Sequence, residues 1–201
     1  MSVADEETRE VVVLIHGLGR TKLSFTMMAR ALEREGFEVV TWGYSSTCCT
    51  VPEIGADLAE SLSESVDDEH DKVHFVGHST GNIVVRWLLE EEPPTRVGHV
   101  VMLAPPNGGS EMADRYADWF SWALPPLADL TTSESTASSL PAEVDHPVGI
   151  IAGQFDNKVT VDEALAIDHD DYRVVGAAHT FIMNRPDVHA MTADFLRHGN
   201  F

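Results

Sequence analysis

Three residues of this chain are of the types that together make a hydroxyl nucleophilic, and each follows a short apolar run. Ser79 sits in Gly77-His78-Ser79-Thr80-Gly81, directly after Val73-His74-Phe75-Val76. Asp156 sits in Gly153-Gln154-Phe155-Asp156-Asn157-Lys158-Val159, after the run at 148–152, and His179 ends Gly176-Ala177-Ala178-His179, after the run at 172–175. A serine hydroxyl is a weak nucleophile at neutral pH. An imidazole within hydrogen-bond reach can take its proton, and a carboxylate on the far ring nitrogen fixes the tautomer and stabilises the imidazolium. The chemistry such a set performs is attack on a carbonyl, through a tetrahedral oxyanion that needs N–H donors. The glycine-rich turn His16-Gly17-Leu18-Gly19 follows another apolar run, 11–15. The amides of Leu18 and of Thr80, the residue after the serine, are the natural donor pair; an ordinary strand-to-helix turn is the alternative reading of those glycines.

The pentapeptide around Ser79 has the form G-x-S-x-G. By composition alone it arises in roughly one chain of this length in fifteen, so its weight rests on context. Here a strand precedes it and a helical pattern, Ile83, Val84, Trp87 and Leu88, follows. A serine on so sharp a turn is strained, and Cβ atoms two positions to either side would collide with the neighbouring strand or helix; glycines remove them.

The positioning elements are legible as strands alternating with helices. Strands are expected at 11–15, 39–44, 73–76, 99–103, 148–152 and 172–175. Phe25, Met28, Ala29 and Leu32 follow helical spacing, and Gly36 closes that helix. Ile54, Leu58 and Leu62 form a second stripe with Pro52 in its first turn. The helix after Ser79 stops at Pro93-Pro94, and a last one spans 186–198 with Val188, Met191, Phe195 and Leu196 on one side. Strict alternation implies an α/β fold: about six mostly parallel strands flanked by helices on both faces, in one domain over 1–201. Residues 105–147 break the rhythm. They hold an aromatic helical piece (Met112, Tyr116, Trp119, Phe120) and a Ser/Thr-rich loop at 131–139, and read as a short cap insertion after the fourth strand. In open parallel sheets chemistry collects at the carboxyl ends of the strands, where Leu18, Ser79, Asp156 and His179 all fall.

With 201 residues, 43% of them hydrophobic, the chain can bury a sizeable core. Against 33 acidic residues stand 13 basic ones, a net charge near −20. That argues against nucleic acid or an anionic membrane as partner. Acidic residues spread along a lysine-poor chain suit a high-salt, halophilic cytoplasm; an ordinary acidic protein is the alternative. The acidic N-terminus carries no secretory pattern and the apolar runs are too short to span a bilayer. Cys48 and Cys49 are adjacent, so a disulfide between them would be strained; they are expected as free thiols with a packing role.

Other polar residues have plainer readings. His16 and His78 are expected to hold neighbouring backbone through ring hydrogen bonds. His189, within the last helix, is expected to face solvent. Asp168-His169-Asp170-Asp171 reads as a solvated acidic loop rather than a metal site. Asp145 precedes the fifth strand, at the wrong end of the sheet for this chemistry. Asp162 rivals Asp156, but follows Thr160 where an acid suits a helix dipole. Asn157 can take a left-handed conformation in the turn after Asp156. Met112, Trp119, Phe120 and Trp122 are candidate substrate-binding residues, an acyl-binding wall or ordinary core.

These segments resemble the small bacterial and archaeal esterase/lipase branch of the α/β-hydrolase superfamily. Val12 to Gly19 resembles its opening strand and oxyanion turn, Val76 to Arg86 its nucleophile elbow and following helix. Leu103-Ala104-Pro105-Pro106-Asn107-Gly108-Gly109-Ser110 resembles the segment after its next strand, and His179-Thr180-Phe181-Ile182-Met183 its histidine loop. The chain differs in having Asn157 where the family often has glycine, in lacking opening antiparallel strands, and in an insertion too short for a full lid. The resemblance implies a serine carboxylic-ester hydrolase, with Ser79 as nucleophile, His179 as base and Asp156 as its orienting acid. No metal or organic cofactor is implied, and the partner is a small ester or lipid. A thioesterase or acyltransferase with the same triad is the alternative, and a non-catalytic hydrolase-fold binding protein a further one.

Overall fold

The computed structural model describes residues 9–66, 70–108 and 136–201. Six strands form a single parallel sheet: β1 (Glu10–Ile15), β2 (Glu38–Trp42), β3 (Lys72–His78), β4 (Val97–Leu103), β5 (Val148–Gly153) and β6 (Asp171–Val175), in the order β2-β1-β3-β4-β5-β6. The period-two alternation of β1 shows why helices cover both faces. Val11, Val13 and Ile15 join one core cluster and Val12 and Leu14 the other, and all five are fully buried. The first cluster includes Ile54 and Leu58 of α2 (Val51–Ser65) and Ile83 and Leu88 of α3 (Thr80–Glu91). The second includes Met28 and Leu32 of α1 (Thr26–Arg34) and Phe195 and Leu196 of the C-terminal helix, Pro186–His198.

The ends of these helices follow local chemistry. Thr50 and Glu53 form a reciprocal capping box that starts α2, worth about 1 kcal/mol, with Pro52 in the first turn. Gly36, at φ +92°, turns the chain after α1. Most strands reach one or two residues beyond the apolar runs, onto polar outer positions such as Glu10 and Lys72, whereas β2, expected to run to Tyr44, ends at Trp42.

The strand order reverses at β1, since β2 is added on one side of it and β3 on the other. That is the switch point at which open parallel sheets leave a crevice beyond their carboxyl ends. Ile15 at the end of β1 is in register with Gly77 of β3, so the turn after β1 emerges beside Ser79. Of the excursion between β4 and β5, residues 105–108 and 136–147 are described. Thr136–Ser139, expected within a loop, is one helical turn. The buried Arg86 of α3 holds both ends of this excursion, donating to the Asn107 carbonyl and amide oxygens and to the carbonyls of Leu140 and Pro141. Among the described residues no helix is long and apolar enough to cross a membrane.

Candidate active site

Ser79 lies between β3 and α3 with φ 53° and ψ −127°, in the left-handed half of backbone space that costs a non-glycine residue about 1–3 kcal/mol. The surroundings impose this conformation. The Ser79 amide donates to the Leu103 carbonyl at 3.0 Å, and the Asn82 side chain donates to the carbonyls of Ser79 and Leu103. A Cβ on Gly77 would fall within 3 Å of Asn82, and one on Gly81 within 3 Å of the Ile15 and His16 carbonyls. Both flanking glycines are therefore required by close backbone approach.

His179 starts a 3-10 helix (His179–Asn184) beyond β6 and is 5% exposed. Its Nε2 lies 2.9 Å from Ser79 Oγ and its Nδ1 2.7 Å from Asp156 Oδ2. A carboxylate accepts from Nδ1–H, which leaves Nε2 free to accept the serine proton. Asp156 follows β5, and its other oxygen accepts the Lys158 and Val159 amides at 2.8 and 3.0 Å. Burial pushes its carboxyl pKa up. The hydrogen bond and charge of His179, with those two amides, outweigh burial and hold it below the usual carboxylate range. Asp156 thus stays anionic beside the imidazole, and the set can withdraw the Ser79 proton.

The turn after β1 meets the elbow directly: a Cβ on Gly17 would lie 2.9 Å from the Ser79 Cβ. Among the described residues neither the Leu18 nor the Thr80 amide N–H has an acceptor.

His78 and His16 act on backbone, as expected. His78 Nε2 donates to the His179 carbonyl at 2.9 Å, and burial first, then the charge of His179, holds the His78 ring down at about 3. His16 Nδ1 donates to the Gly17 carbonyl, and burial lowers its pKa. Asp162 lies exposed in the first turn of the helix capped by Thr160 and Glu163, and it is Asp156 that His179 Nδ1 meets. Asp170 and Asp171 accept backbone N–H groups of Val148, Tyr172 and Phe201, and among the described residues no cluster has metal-ligand geometry.

Three expectations are corrected. Cys48 and Cys49 are not free thiols but form a disulfide between neighbours in sequence. His189 does not face solvent; it is 7% exposed and donates to the Met183 carbonyl at 2.8 Å, because the chain entering the C-terminal helix folds over it. Asn157 does not adopt a positive φ, since the two Asp156-accepted amides close the turn without it. Met112, Trp119, Phe120 and Trp122 lie outside the described residues. Tyr44, Ser46 and Arg20 escaped sequence reading: the Tyr44 hydroxyl donates to the His16 carbonyl, Ser46 Oγ accepts the Gly19 amide at 2.9 Å, and Arg20 donates to the Thr180 carbonyl at 2.8 Å. A tyrosine and a serine in a loop carry no spacing signal for such contacts.

Residues 2–166 match the family model described as a domain of unknown function, DUF7379. No curated protein sequence is significantly similar to the chain. Solved structures similar in fold include the mature form of the Bacillus licheniformis lipase BlEst2, with TM-score 0.74, 18% identity, and coverage of 99% of this chain and 95% of that one. A metagenome-derived lipolytic enzyme of the LipS and LipT pair gives TM-score 0.73 at 16% identity, covering 94% of each chain. Aspergillus fumigatus lipase B gives TM-score 0.76 at 18% identity, over 94% of this chain and 53% of that one.

Proposed function

Because the chain belongs to the DUF7379 family, whose description names no activity, we propose a function from the site itself: a serine carboxylic-ester hydrolase. The observation that carries this reading is His179 held between Asp156 and a strained Ser79, at 2.7 and 2.9 Å. Lipases and lipolytic enzymes among the structures of similar fold support an ester as substrate.

Ser79 attacks the ester carbonyl as His179 takes its proton, and the amides of Leu18 and Thr80 receive the oxyanion. His179 then protonates the departing alcohol, leaving an acyl group on Ser79. The same base next activates water, which attacks the acyl-enzyme and releases the acid. Short to medium acyl esters are the substrates. Met112, Trp119, Phe120 and Trp122 of the cap insertion at 105–147 would line the acyl site, each buried methylene contributing about 0.8 kcal/mol. The protein works as one domain in a high-salt cytoplasm.

A series of p-nitrophenyl esters of increasing chain length, alongside matched thioesters, tests the proposal. Saturable hydrolysis favouring short to medium chains and abolished in Ser79→Ala is the expected result. Faster turnover of the thioesters would reassign the enzyme as a thioesterase, and activity that survives in Ser79→Ala would refute the nucleophile.

A further inference from the structure

The turn that carries the Leu18 amide is held from one side by a single loop, the one between β2 and α2. The Arg20 amide donates to the Gly17 carbonyl at 3.2 Å, closing a four-residue turn with Leu18 and Gly19 at its centre. Gly19 has φ +67°, the conformation that the second central residue of a type II turn requires. Three successive peptide groups follow the end of β1. In the first, the His16 carbonyl accepts the Tyr44 hydroxyl. In the third, the Gly19 amide donates to Ser46 Oγ at 2.9 Å, and the same hydroxyl lies 3.5 Å from the Arg20 carbonyl. The second, between them, bears the Leu18 N–H, which has no acceptor among the described residues.

One peptide on each side is pinned and the donor in the middle is left free. Ser46 is 5% exposed, and the Tyr44 ring stacks between His16 (4.2 Å) and Trp42 (4.8 Å). Among the described residues neither anchor has a hydrogen bond to Ser79, His179 or Asp156. Gly19 itself is exposed and, as glycine, sterically free to leave its conformation, so it is restrained by hydrogen bonds alone: the Arg20–Gly17 bond that closes the turn around it and its own amide's bond to Ser46.

We propose that Ser46, with Tyr44, is a positioning residue for the oxyanion turn: its hydroxyl holds the Gly19 peptide so that the Leu18 N–H stays aimed at the oxyanion formed at Ser79. This rests on the ester-hydrolase reading. An oxyanion donor acts in the transition state and little in the ground state, so a loosened donor lowers kcat and leaves KM in place. Complete loss of a donor costs 10²–10³-fold; a donor present but unanchored should cost about tenfold.

The test compares Ser46→Ala, Ser46→Thr and Tyr44→Phe with the parent, measuring ester hydrolysis, melting temperature and the affinity of an aryl trifluoromethyl ketone. The ketone adds to the serine as a hemiketal whose oxyanion must occupy the turn. The expected result for Ser46→Ala is kcat reduced about tenfold at constant KM, ketone affinity reduced by the same factor, and unchanged pH profile and melting temperature. Ser46→Thr, which keeps the hydroxyl, restores both quantities. Tyr44→Phe, which keeps the stack, repeats the Ser46→Ala pattern. Unchanged kcat in Ser46→Ala, or a kcat loss without loss of ketone affinity, overturns the proposal. So does a loss that Ser46→Thr shares together with a lowered melting temperature. A parent protein that neither hydrolyses esters nor binds the ketone overturns the ester-hydrolase reading, and this proposal with it.

Discussion

At the scale of single residues, the reading depends on a proton path from Ser79 through His179 to an anionic Asp156. Both Asp156 oxygens are engaged, one by His179 and one by two amides, so the carboxylate orients the ring rather than exchanging its own proton. Ser79→Ala and His179→Ala should each lower kcat by about 10⁶, the double variant by little more, and Asp156→Ala by about 10⁴, read from steady-state ester hydrolysis. Loss at Asp162 with Asp156 silent would move the acid to the short helix that follows. That Ser79, Asp156 and His179 come together was legible in the sequence because each stands just beyond a strand, at the end of the sheet where such turns converge. Ser46 and Tyr44 were not, since each meets its partner across 27 or 28 residues and no local pattern encodes that contact.

At the scale of elements, short apolar runs alternating with stretches of helical spacing made the six strands and the main helices readable. Val11, Val13 and Ile15 face one layer of helices and Val12 and Leu14 the other, a pattern only a sheet covered on both sides explains. What periodicity could not supply was the fit of one element to another. Gly81 reads as half of a motif, yet its physical role is to let α3 approach β1, where a Cβ would meet the Ile15 and His16 carbonyls. Gly81→Ala should therefore cost about 1–3 kcal/mol in urea unfolding and lower activity as Ser79 shifts away from the Gly17 turn. A variant of full stability and activity would show that the two elements are loosely packed. His189 is a similar case: helical spacing placed it outward, and the fold of the preceding segment buries it.

At the scale of the whole molecule, buried neutral histidines and surface charge set the response to solvent. Burial holds His74 down at about 3, with the charges of His99 and Lys72 adding to it, and His78 is likewise held at about 3. Both folded-state values lie below the unfolded histidine value of about 6.5, so the unfolded chain binds more protons below that pH. Their contribution to stability is full above about pH 6.5 and is lost as pH falls toward 3, by about 1.4 kcal/mol per pH unit for each. Urea unfolding between pH 7 and 4 should show this slope, and His74→Gln should reduce it by one proton. A charge of −20 over 201 residues repels itself. The Debye length shrinks from about 10 Å at 0.1 M salt to about 3 Å at 1 M, so the melting temperature should rise with KCl. A flat or falling midpoint would separate the acidic surface from any salt adaptation. Composition revealed this charge but not the Cys48–Cys49 disulfide, which adjacency in sequence had argued against.

The central claim, that Ser79 is activated by His179, is tested most directly by covalent labelling. The intact protein is treated with a serine-directed alkyl phosphonate ester, its mass is measured, and the modified peptide is sequenced, in parallel with His179→Ala. One adduct per chain on Ser79, formed in the parent and almost absent in His179→Ala, is the expected result. Labelling of another serine, or equal labelling of Ser79 in both proteins, would contradict it.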